Sequence, residues 1–311
     1  MPTRVENIKD NLVVQVKKLY RECNEKSFET RARYRDATER FCGFLAKEYG
    51  LQKFANIRDK HLIAYADYLK SEGIAVNTIL SDLSGIRFFH RLSGAKFELP
   101  NNKTLNLSKR EIGKEDRSWS VTEISRALQL ADKLGRTDIS YAIKISYLFG
   151  ARIEEACKMR VEHIQKAIET GELYIKGKGG QERYVIMRTL YQHGLLNELI
   201  SMVKARKLQP NDYLITDNVK GGVQREIKSI QNWLSNHSNR FKDADRTKAP
   251  LPGYKPKSEA LTFHGLRYTF IQNLYDLLVS QGDPKAEEKT MEKAGHHRPL
   301  MRKIYSNRVI Q

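Results

Sequence analysis

The sequence predicts a mostly helical protein of two domains, the second of which also contains one small antiparallel β-sheet. Four helical hydrophobic patterns fill roughly the first hundred residues. The second part mixes helical patterns with three short strand-like segments that are separated by glycine-rich turns. Between the two parts, residues 95–117 lose this periodicity. A chain of 311 residues is long enough to bury two hydrophobic cores.

The first domain is predicted over residues 1–96 as a compact bundle of four helices. Ser27 is an expected N-cap and Gly50 an expected stop for the second of them. The connections between the helices are short, which favours a bundle. The four helical patterns cover residues 4–22, Ser27 to Tyr49, from near Asp59 to Gly73, and from Asn77 to Gly94.

A basic interdomain linker is predicted over residues 97–117. It contains Pro100 and a surplus of basic side chains, which suggests that it runs along a phosphate backbone. The side chains expected to contact DNA there are Lys103, Lys109 and Arg110. The alternative is a solvated basic loop without a ligand.

The second domain is predicted over residues 118–311. Ser120 and Glu123 form a capping-box pattern at the start of its first helix. Helices are expected near 120–134, 137–149, 152–160, 188–206, 223–241, 263–280 and 284–295, with a short one near the C-terminus. The three expected strands are Val161 to Ile168, Glu172 to Lys176 and Glu182 to Met187.

Charge is the first indication of function. The chain has 55 Lys+Arg against 37 Asp+Glu, a formal net charge of +18. A surplus of this size indicates a polyanionic partner, because neutralising phosphates releases condensed counterions. Nucleic acid is the leading candidate. An anionic membrane surface is the weaker one, since no basic helix has an uninterrupted apolar face.

Several classes of protein are disfavoured by the composition. No stretch approaches the roughly 18–20 consecutive apolar residues that span a bilayer, and the N-terminus lacks the apolar core of a secretory signal. The three cysteines are widely spaced and fit no metal-ligand pattern. We therefore expect a reduced, cytosolic protein without structural zinc.

Four short motifs carry side chains suited to phosphate chemistry. Arg152 opens a helix directly after Gly150-Ala151, and Glu155 follows one turn later. A lysine-bearing turn lies in the run Lys176-Gly177-Lys178-Gly179-Gly180. The last two motifs are His264-Gly-Leu-Arg267 and Gly295-His296, the latter followed nine residues later by Tyr305.

The His264 and Arg267 pair is expected on one face of the first turn of a helix, with Thr262 as its cap. Free backbone N–H groups and the helix dipole would add to the side-chain charge there, which makes an anion site. Taken alone, such a pair also occurs at protein surfaces or as a cap on the core.

Together these motifs resemble the catalytic domain of tyrosine recombinases, the group that includes phage integrases, Xer-type resolvases and Cre-like enzymes. The family pattern is Gly-x-Arg-x-x-Glu, a Gly-Lys-Gly hairpin, His-x-x-Arg, and Gly-His followed nine residues later by Tyr. Each element stands here in order, over residues 118–311. The four-helix N-terminal part resembles the family's DNA-clamping core-binding domain in helix count, position and charge.

The resemblance implies a transesterification at a DNA phosphodiester. Tyr305 would attack phosphorus, form a 3′-phosphotyrosyl link and release a 5′-hydroxyl. Arg152 and Arg267 would clamp the non-bridging oxygens. Lys178 would be the general acid for the leaving oxygen. Lys176 is a neighbouring rival for that role and an expected DNA contact, but the Gly-Lys-Gly context favours Lys178.

The remaining residues of the pattern would support this chemistry. His264 would act as a proton acceptor or phosphate ligand. His296 would hydrogen-bond the scissile phosphate; the adjacent His297 is a rival that the nine-residue offset to Tyr305 disfavours. Glu155 would orient the cations of the site, with a plain ion pair on the helix surface as the alternative.

The resemblance also implies the biological setting. The expected function is site-specific recombination through a Holliday junction, integrating or excising a mobile genetic element. The expected partners are a double-stranded DNA site and a homo-tetramer in the synaptic complex, with a monomer or dimer off DNA. The expected location is cytoplasmic, in the nucleoid when DNA is bound.

No cofactor or metal is expected, because the phosphotyrosine conserves the energy of the broken ester and Arg and Lys neutralise charge. The alternatives are a catalytically inactive DNA-binding protein of the same fold, a type IB topoisomerase and a telomere resolvase.

Overall fold

The computed structural model describes residues 2–108, 113–177, 180–248, 250–295 and 304–308. The chain forms two compact units, Met1–Glu111 and Ile112–Gln311. The division between them falls inside the predicted linker. Among the described residues, no helix has the length and apolar character needed to cross a lipid bilayer.

The described residues of the first unit form four α-helices around one hydrophobic core. Ser27 caps the second helix, since its side chain accepts a hydrogen bond from the backbone of Thr30, and Gly50 ends that helix in the left-handed region with φ 57°. Phe41 and Tyr65 pack in the core with their ring centroids 4.7 Å apart. The helices are α1 Arg4–Glu22, α2 Phe28–Tyr49, α3 Asp59–Ser71 and α4 Val76–Leu92, with a 3-10 turn at Phe54–Asn56.

The second unit adds eight described α-helices and a two-stranded antiparallel sheet. In the sheet, Glu172 lies opposite Ile186 and Lys176 lies opposite Glu182. The helices are α5 Val121–Lys133, α6 Thr137–Phe149, α7 Ile153–Cys157, α8 Val161–Thr170, α9 Leu190–Arg206, α10 Gly222–His237, α11 Phe263–Ser280 and α12 Ala286–Lys293; the strands are β1 Glu172–Lys176 and β2 Glu182–Ile186.

The predicted strand over residues 161–168 was wrong, because this segment belongs to helix α8. Its buried side chains are Val161, Ile164 and Ala167, which recur every three residues rather than every second one. Gly171 ends the helix in the left-handed region with φ 76°. The described sheet therefore has two strands where the sequence had predicted three.

Helix α11 is held at its start by the segment before α5. The carbonyl of Thr262 accepts hydrogen bonds from the Trp119 indole and from the Gly265 backbone, each at 2.9 Å. The Thr262 side chain, which had been expected to cap the helix, makes no capping hydrogen bond. A Cβ on Gly265 would lie 2.3 Å from the carbonyl oxygen of Arg117, so only glycine permits this close approach.

Gly150 ends α6 in the left-handed region with φ 64°, and a Cβ there would lie 2.3 Å from Cδ1 of Phe270 on α11. We expect Gly150→Ala to lower the free energy of unfolding by about 2–4 kcal/mol, from backbone strain and overpacking together. Both tryptophans, Trp119 and Trp233, belong to the second unit, so their fluorescence during urea unfolding reports on that unit alone.

The matched control is Gly135→Ala. Gly135 also has a positive φ, 67°, but a Cβ there would meet nothing within 4 Å. This variant should lose only about 1 kcal/mol, from strain. Equal losses for the two variants would contradict a requirement for close packing at Gly150.

Candidate active site

One buried carboxylate organises the site. Glu155 lies on α7 and is 5% exposed. Its oxygens accept hydrogen bonds from the Arg152 backbone N–H at 2.8 Å and from the Arg152 guanidinium at 2.7 Å. Arg183 of β2 donates to it at 2.6 Å, and Nη1 of Arg267 lies 4.0 Å away. A single negative charge therefore faces three guanidinium groups. Because Glu155 is buried, this arrangement differs from the plain ion pair on the helix surface that the sequence left as an alternative.

These contacts keep Glu155 ionised. Burial by itself would raise the pKa of the carboxyl, but hydrogen bonds and positive charge from Arg183 and Arg152 outweigh it and lower the pKa to about 2. The carboxylate is therefore charged throughout the physiological pH range.

Arg267 joins three segments of the chain at one point. It comes from the second turn of α11 and is 1% exposed. Its guanidinium donates hydrogen bonds to the carbonyls of Gly150 and Ala294. Burial, together with the charges of Arg152 and Arg183, lowers its pKa to about 10, so it still carries its proton at neutral pH.

Arg152 differs from the other two arginines in its exposure. The exposed fraction of its side chain is 31%, compared with 5% for Arg183 and 1% for Arg267. It also borders a cleft of about 670 Å³ whose lining includes the basic residues Lys158, Arg160 and Lys176 and the acidic residues Glu154 and Glu162. Arg152 is thus open to an anion that approaches from solvent.

Tyr305 lies beside this cluster and is 2% exposed. Its hydroxyl is 3.5 Å from Nε2 of His264, which precedes Arg267 by one turn of α11. The ring of Tyr268 packs on the Tyr305 ring with centroids 4.5 Å apart. The structure therefore brings the predicted nucleophile to the predicted proton acceptor.

The imidazole of His264 is neutral in this setting. Burial lowers its pKa to about 4, and the positive charges of Arg267, Arg152 and Arg117 act in the same direction. A neutral ring with Nε2 toward the tyrosine can accept a proton in the appropriate tautomer.

The predicted lysine turn begins against the arginine cluster. A Cβ on Gly177 would lie 3.0 Å from Oε1 of Glu155 and 3.8 Å from Nη1 of Arg152. Lys176, which precedes it, is exposed. Lys178 lies outside the described residues, as do Lys109, Arg110 and His296. Lys103 is exposed in the first unit.

Sequence reasoning missed Arg183. On β2 the side chains at positions 183 and 185 are buried and their neighbours are not, so Arg183 points inward beside Val185. It donates to Glu155 at 2.6 Å and to the carbonyl of Gly150 at 3.2 Å. The available signal was an arginine at an inward position of a strand with alternating burial. Because a buried charge needs a partner, such an arginine indicates a buried ion pair.

Residues 119–308 match the phage integrase family, so the chain belongs to that family. The curated relatives that the chain matches are tyrosine recombinases. The tyrosine recombinase XerC of Oceanobacillus iheyensis is 26% identical over 156 residues, which is 49% of this chain and 50% of that protein. The chain thus spans about half the length of this relative. XerC of Bacillus subtilis is 24% identical over 241 residues, covering 74% of this chain and 77% of that protein.

Solved structures share the fold. A lambda integrase tetramer bound to a Holliday junction matches with a TM-score of 0.61 and 14% identity, covering 94% of this chain and 76% of that chain. A XerH site-specific recombinase bound to its difH substrate, in a pre-cleavage complex, matches with a TM-score of 0.59 and 19% identity. The match covers 94% of this chain and 80% of that chain.

We expect Glu155→Gln to lower the free energy of unfolding at pH 7 by about 3 kcal/mol, because the pKa falls from 4.5 to about 2 on folding. A depressed carboxyl pKa stabilises the fold above the unfolded value of 4.5, and this contribution is lost as the pH falls toward 2. The difference in unfolding free energy between wild type and variant should therefore shrink from pH 7 to pH 3 in urea titrations.

Glu154→Gln is the control for that experiment. The Glu154 side chain is 48% exposed and pairs only with Lys158 among the described ion pairs, so its loss should change stability by less than about 1 kcal/mol. A difference between wild type and Glu155→Gln that did not change with pH would contradict the depressed pKa.

The neutral state of His264 predicts that its ring does not titrate between pH 5.5 and 8 in the DNA-free protein. Two-dimensional NMR of the imidazole C–H groups would measure this, with the His264 signals assigned from the spectrum of His264→Gln. Free imidazole in the sample verifies the pH scale. A titration midpoint near 6.5 would show that burial does not perturb this ring.

Proposed function

We propose that this protein is a site-specific recombinase that cleaves and rejoins DNA strands, with Tyr305 as the nucleophile and a 3′-phosphotyrosyl intermediate. The observation that carries this proposal is the buried Tyr305 hydroxyl, 3.5 Å from the neutral imidazole of His264 and next to the arginine cluster around Glu155. Membership of the phage integrase family over residues 119–308 supports the same chemistry.

The charge of the cluster suits phosphoryl transfer. Three guanidinium groups and one carboxylate leave a net charge of +2 around Glu155. A phosphodiester carries one negative charge, and attack by a tyrosinate adds a second in the pentacoordinate transition state. Arginines held in place before the reaction stabilise this added charge without reorganising. Arg152, the most exposed of the three, would meet the scissile phosphate first, and Arg267 would complete the clamp.

Proton transfers would occur at both ends of the reacting bond. His264 would accept the proton of Tyr305 as its oxygen attacks phosphorus. Lys178 would give a proton to the leaving 5′-oxygen, from a turn whose first residue, Gly177, lies against Arg152 and Glu155. His296 would hydrogen-bond the phosphate; it follows Gly295, whose Cβ position would be 3.4 Å from Cδ of Arg183.

The substrate class follows from charge and from the relatives. The net charge of +18 suits a polyanion, and the matched structures are complexes of lambda integrase and XerH with DNA. We infer a double-stranded DNA site for this chain, clamped by residues 1–96 and by a linker over 97–117 that contributes Lys103, Lys109 and Arg110.

The relatives also suggest the assembly and the biological role. Four copies would assemble in the synaptic complex and exchange strands through a Holliday junction, as the lambda integrase tetramer was captured on one. The role we favour is the integration or excision of a mobile genetic element, on DNA in the cytoplasm.

A nicked suicide substrate that contains the cognate site tests this function. The site would be sought in DNA that flanks the gene. Wild-type protein should give a covalent protein–DNA band on a denaturing gel, and Tyr305→Phe should give none, because phenylalanine has no oxygen to attack phosphorus. Tyr275→Phe is the matched control, since Tyr275 is an exposed tyrosine on the same helix α11.

The other outcomes identify the alternative functions. Tight binding without a covalent band in wild type would indicate an inactive DNA-binding protein. Relaxation of supercoiled plasmids without site preference would indicate a type IB topoisomerase, and closed hairpin products would indicate a telomere resolvase. Each of these results would contradict the proposed recombinase.

A further inference from the structure

One face of α11 contacts Tyr305 at three points. His264 lies 3.5 Å from the phenol oxygen, and the Tyr268 ring packs on the phenol ring at 4.5 Å between centroids. One turn further along, the side-chain amide of Gln272 donates a hydrogen bond to the backbone carbonyl of Tyr305 at 2.9 Å. Residues 264, 268 and 272 are four apart and therefore share a face of the helix.

The orientation of the Gln272 amide is determined by a buried carboxylate. Nε2 of Gln272 also donates to Oδ1 of Asp116 at 2.9 Å, and Asp116 is 3% exposed. Burial would raise the pKa of Asp116, but Lys257, 2.8 Å away, lowers it below its ordinary value. An ionised carboxylate only accepts hydrogen bonds, so the NH₂ group must face it, and the same NH₂ group reaches Tyr305.

A second side chain holds the residues that follow Tyr305. Lys255 is 7% exposed and donates from Nζ to the carbonyl of Ser306 at 2.7 Å. Its backbone N–H donates to the carbonyl of Asn307 at 2.9 Å. Three consecutive carbonyls, at 305, 306 and 307, therefore accept hydrogen bonds from Gln272 and Lys255.

We propose that Gln272 and Lys255 are positioning residues for the nucleophile, an inference that rests on the proposed function. They act through the backbone of the Tyr305 segment and not by contact with DNA. Gln272 fixes this segment to the same helix that carries His264 and Arg267, so the attacking oxygen and the groups that would hold the phosphate share one rigid support. Displacement of a reacting atom by about 1 Å can cost on the order of 100-fold in rate.

Gln272→Leu tests this role, because leucine is close in size and removes both hydrogen bonds. The measurement is single-turnover formation of the covalent complex on the nicked substrate, with protein in excess. We expect the rate to fall by about 10- to 100-fold, with DNA affinity and the final amount of covalent product unchanged. Lys255→Met should also lower the rate, because it removes the hydrogen bond from Nζ to the carbonyl of Ser306. Methionine keeps the apolar stem of the side chain, and the backbone donor is unchanged.

Asn273→Leu is the matched control. Asn273 is the exposed neighbour of Gln272 on α11, and no described hydrogen bond links it to the Tyr305 segment. The cleavage rate of this variant should equal that of wild type.

A substrate with sulfur at the 5′-bridging position adds a second readout, because a thiolate leaves without protonation. The Gln272→Leu defect should persist on this substrate, since it lies in the attack and not in the departure of the leaving group.

Two results would overturn the role of Gln272. One is a wild-type rate in Gln272→Leu; the other is a smaller amount of product formed at the wild-type rate, which would mean only that less protein is folded.

Hydrogen–deuterium exchange tests the docking of the Tyr305 segment on Gln272 without catalysis, in the peptide that contains residues 304–308. Faster exchange in Gln272→Leu than in Asn273→Leu supports the docking, and equal exchange refutes it.

Absence of covalent product in wild type would be a failure of the proposed function and not of the docking. The exchange experiment distinguishes these two failures, because it needs neither DNA nor an active nucleophile.

Discussion

The site depends on one buried carboxylate that holds three guanidinium groups together. Two like charges 4 Å apart repel by about 4 kcal/mol at an effective dielectric constant of 20. Arg152, Arg183 and Arg267 come from different elements, and Glu155 supplies the negative charge that allows them to meet. Removing that charge would leave buried cations uncompensated, which is among the most costly defects in a protein interior.

Backbone carbonyls complete the support that Glu155 begins. Arg267 donates to the carbonyls of Gly150 and Ala294, and Arg183 also donates to Gly150. The left-handed turn at Gly150 aims this carbonyl into the site, and the missing Cβ lets Phe270 of α11 pack against it. The position of α11 is therefore linked to the arginine cluster and, through Gln272, to the segment that carries Tyr305.

Much of the secondary structure could be predicted because its signals are local. The Ser27 cap, the Gly50 stop and the capping box of Ser120 and Glu123 all act within one helical turn, and the structure confirms each of them. The segment from residue 161 to 168 was misassigned as a strand, although its buried apolar residues Val161, Ile164 and Ala167 are three apart, which is the spacing of a helix. Arg152, His264, Arg267 and Tyr305 could be selected as candidates because each stands in a motif with a defined spacing.

The sequence by itself therefore determined the helical class, the two strands of the hairpin, and a set of residues suited to phosphate chemistry. Only the tertiary structure decided that Glu155 is a shared partner of three arginines, that Arg183 is one of them, and that Gln272 donates a hydrogen bond to the backbone of Tyr305. These contacts join residues far apart in the chain: Gln272 and Asp116 are separated by 156 positions, and Arg267 and Gly150 by 117. Local periodicity reports which face of an element is buried, but not which distant group it meets there, because that depends on how all the elements pack.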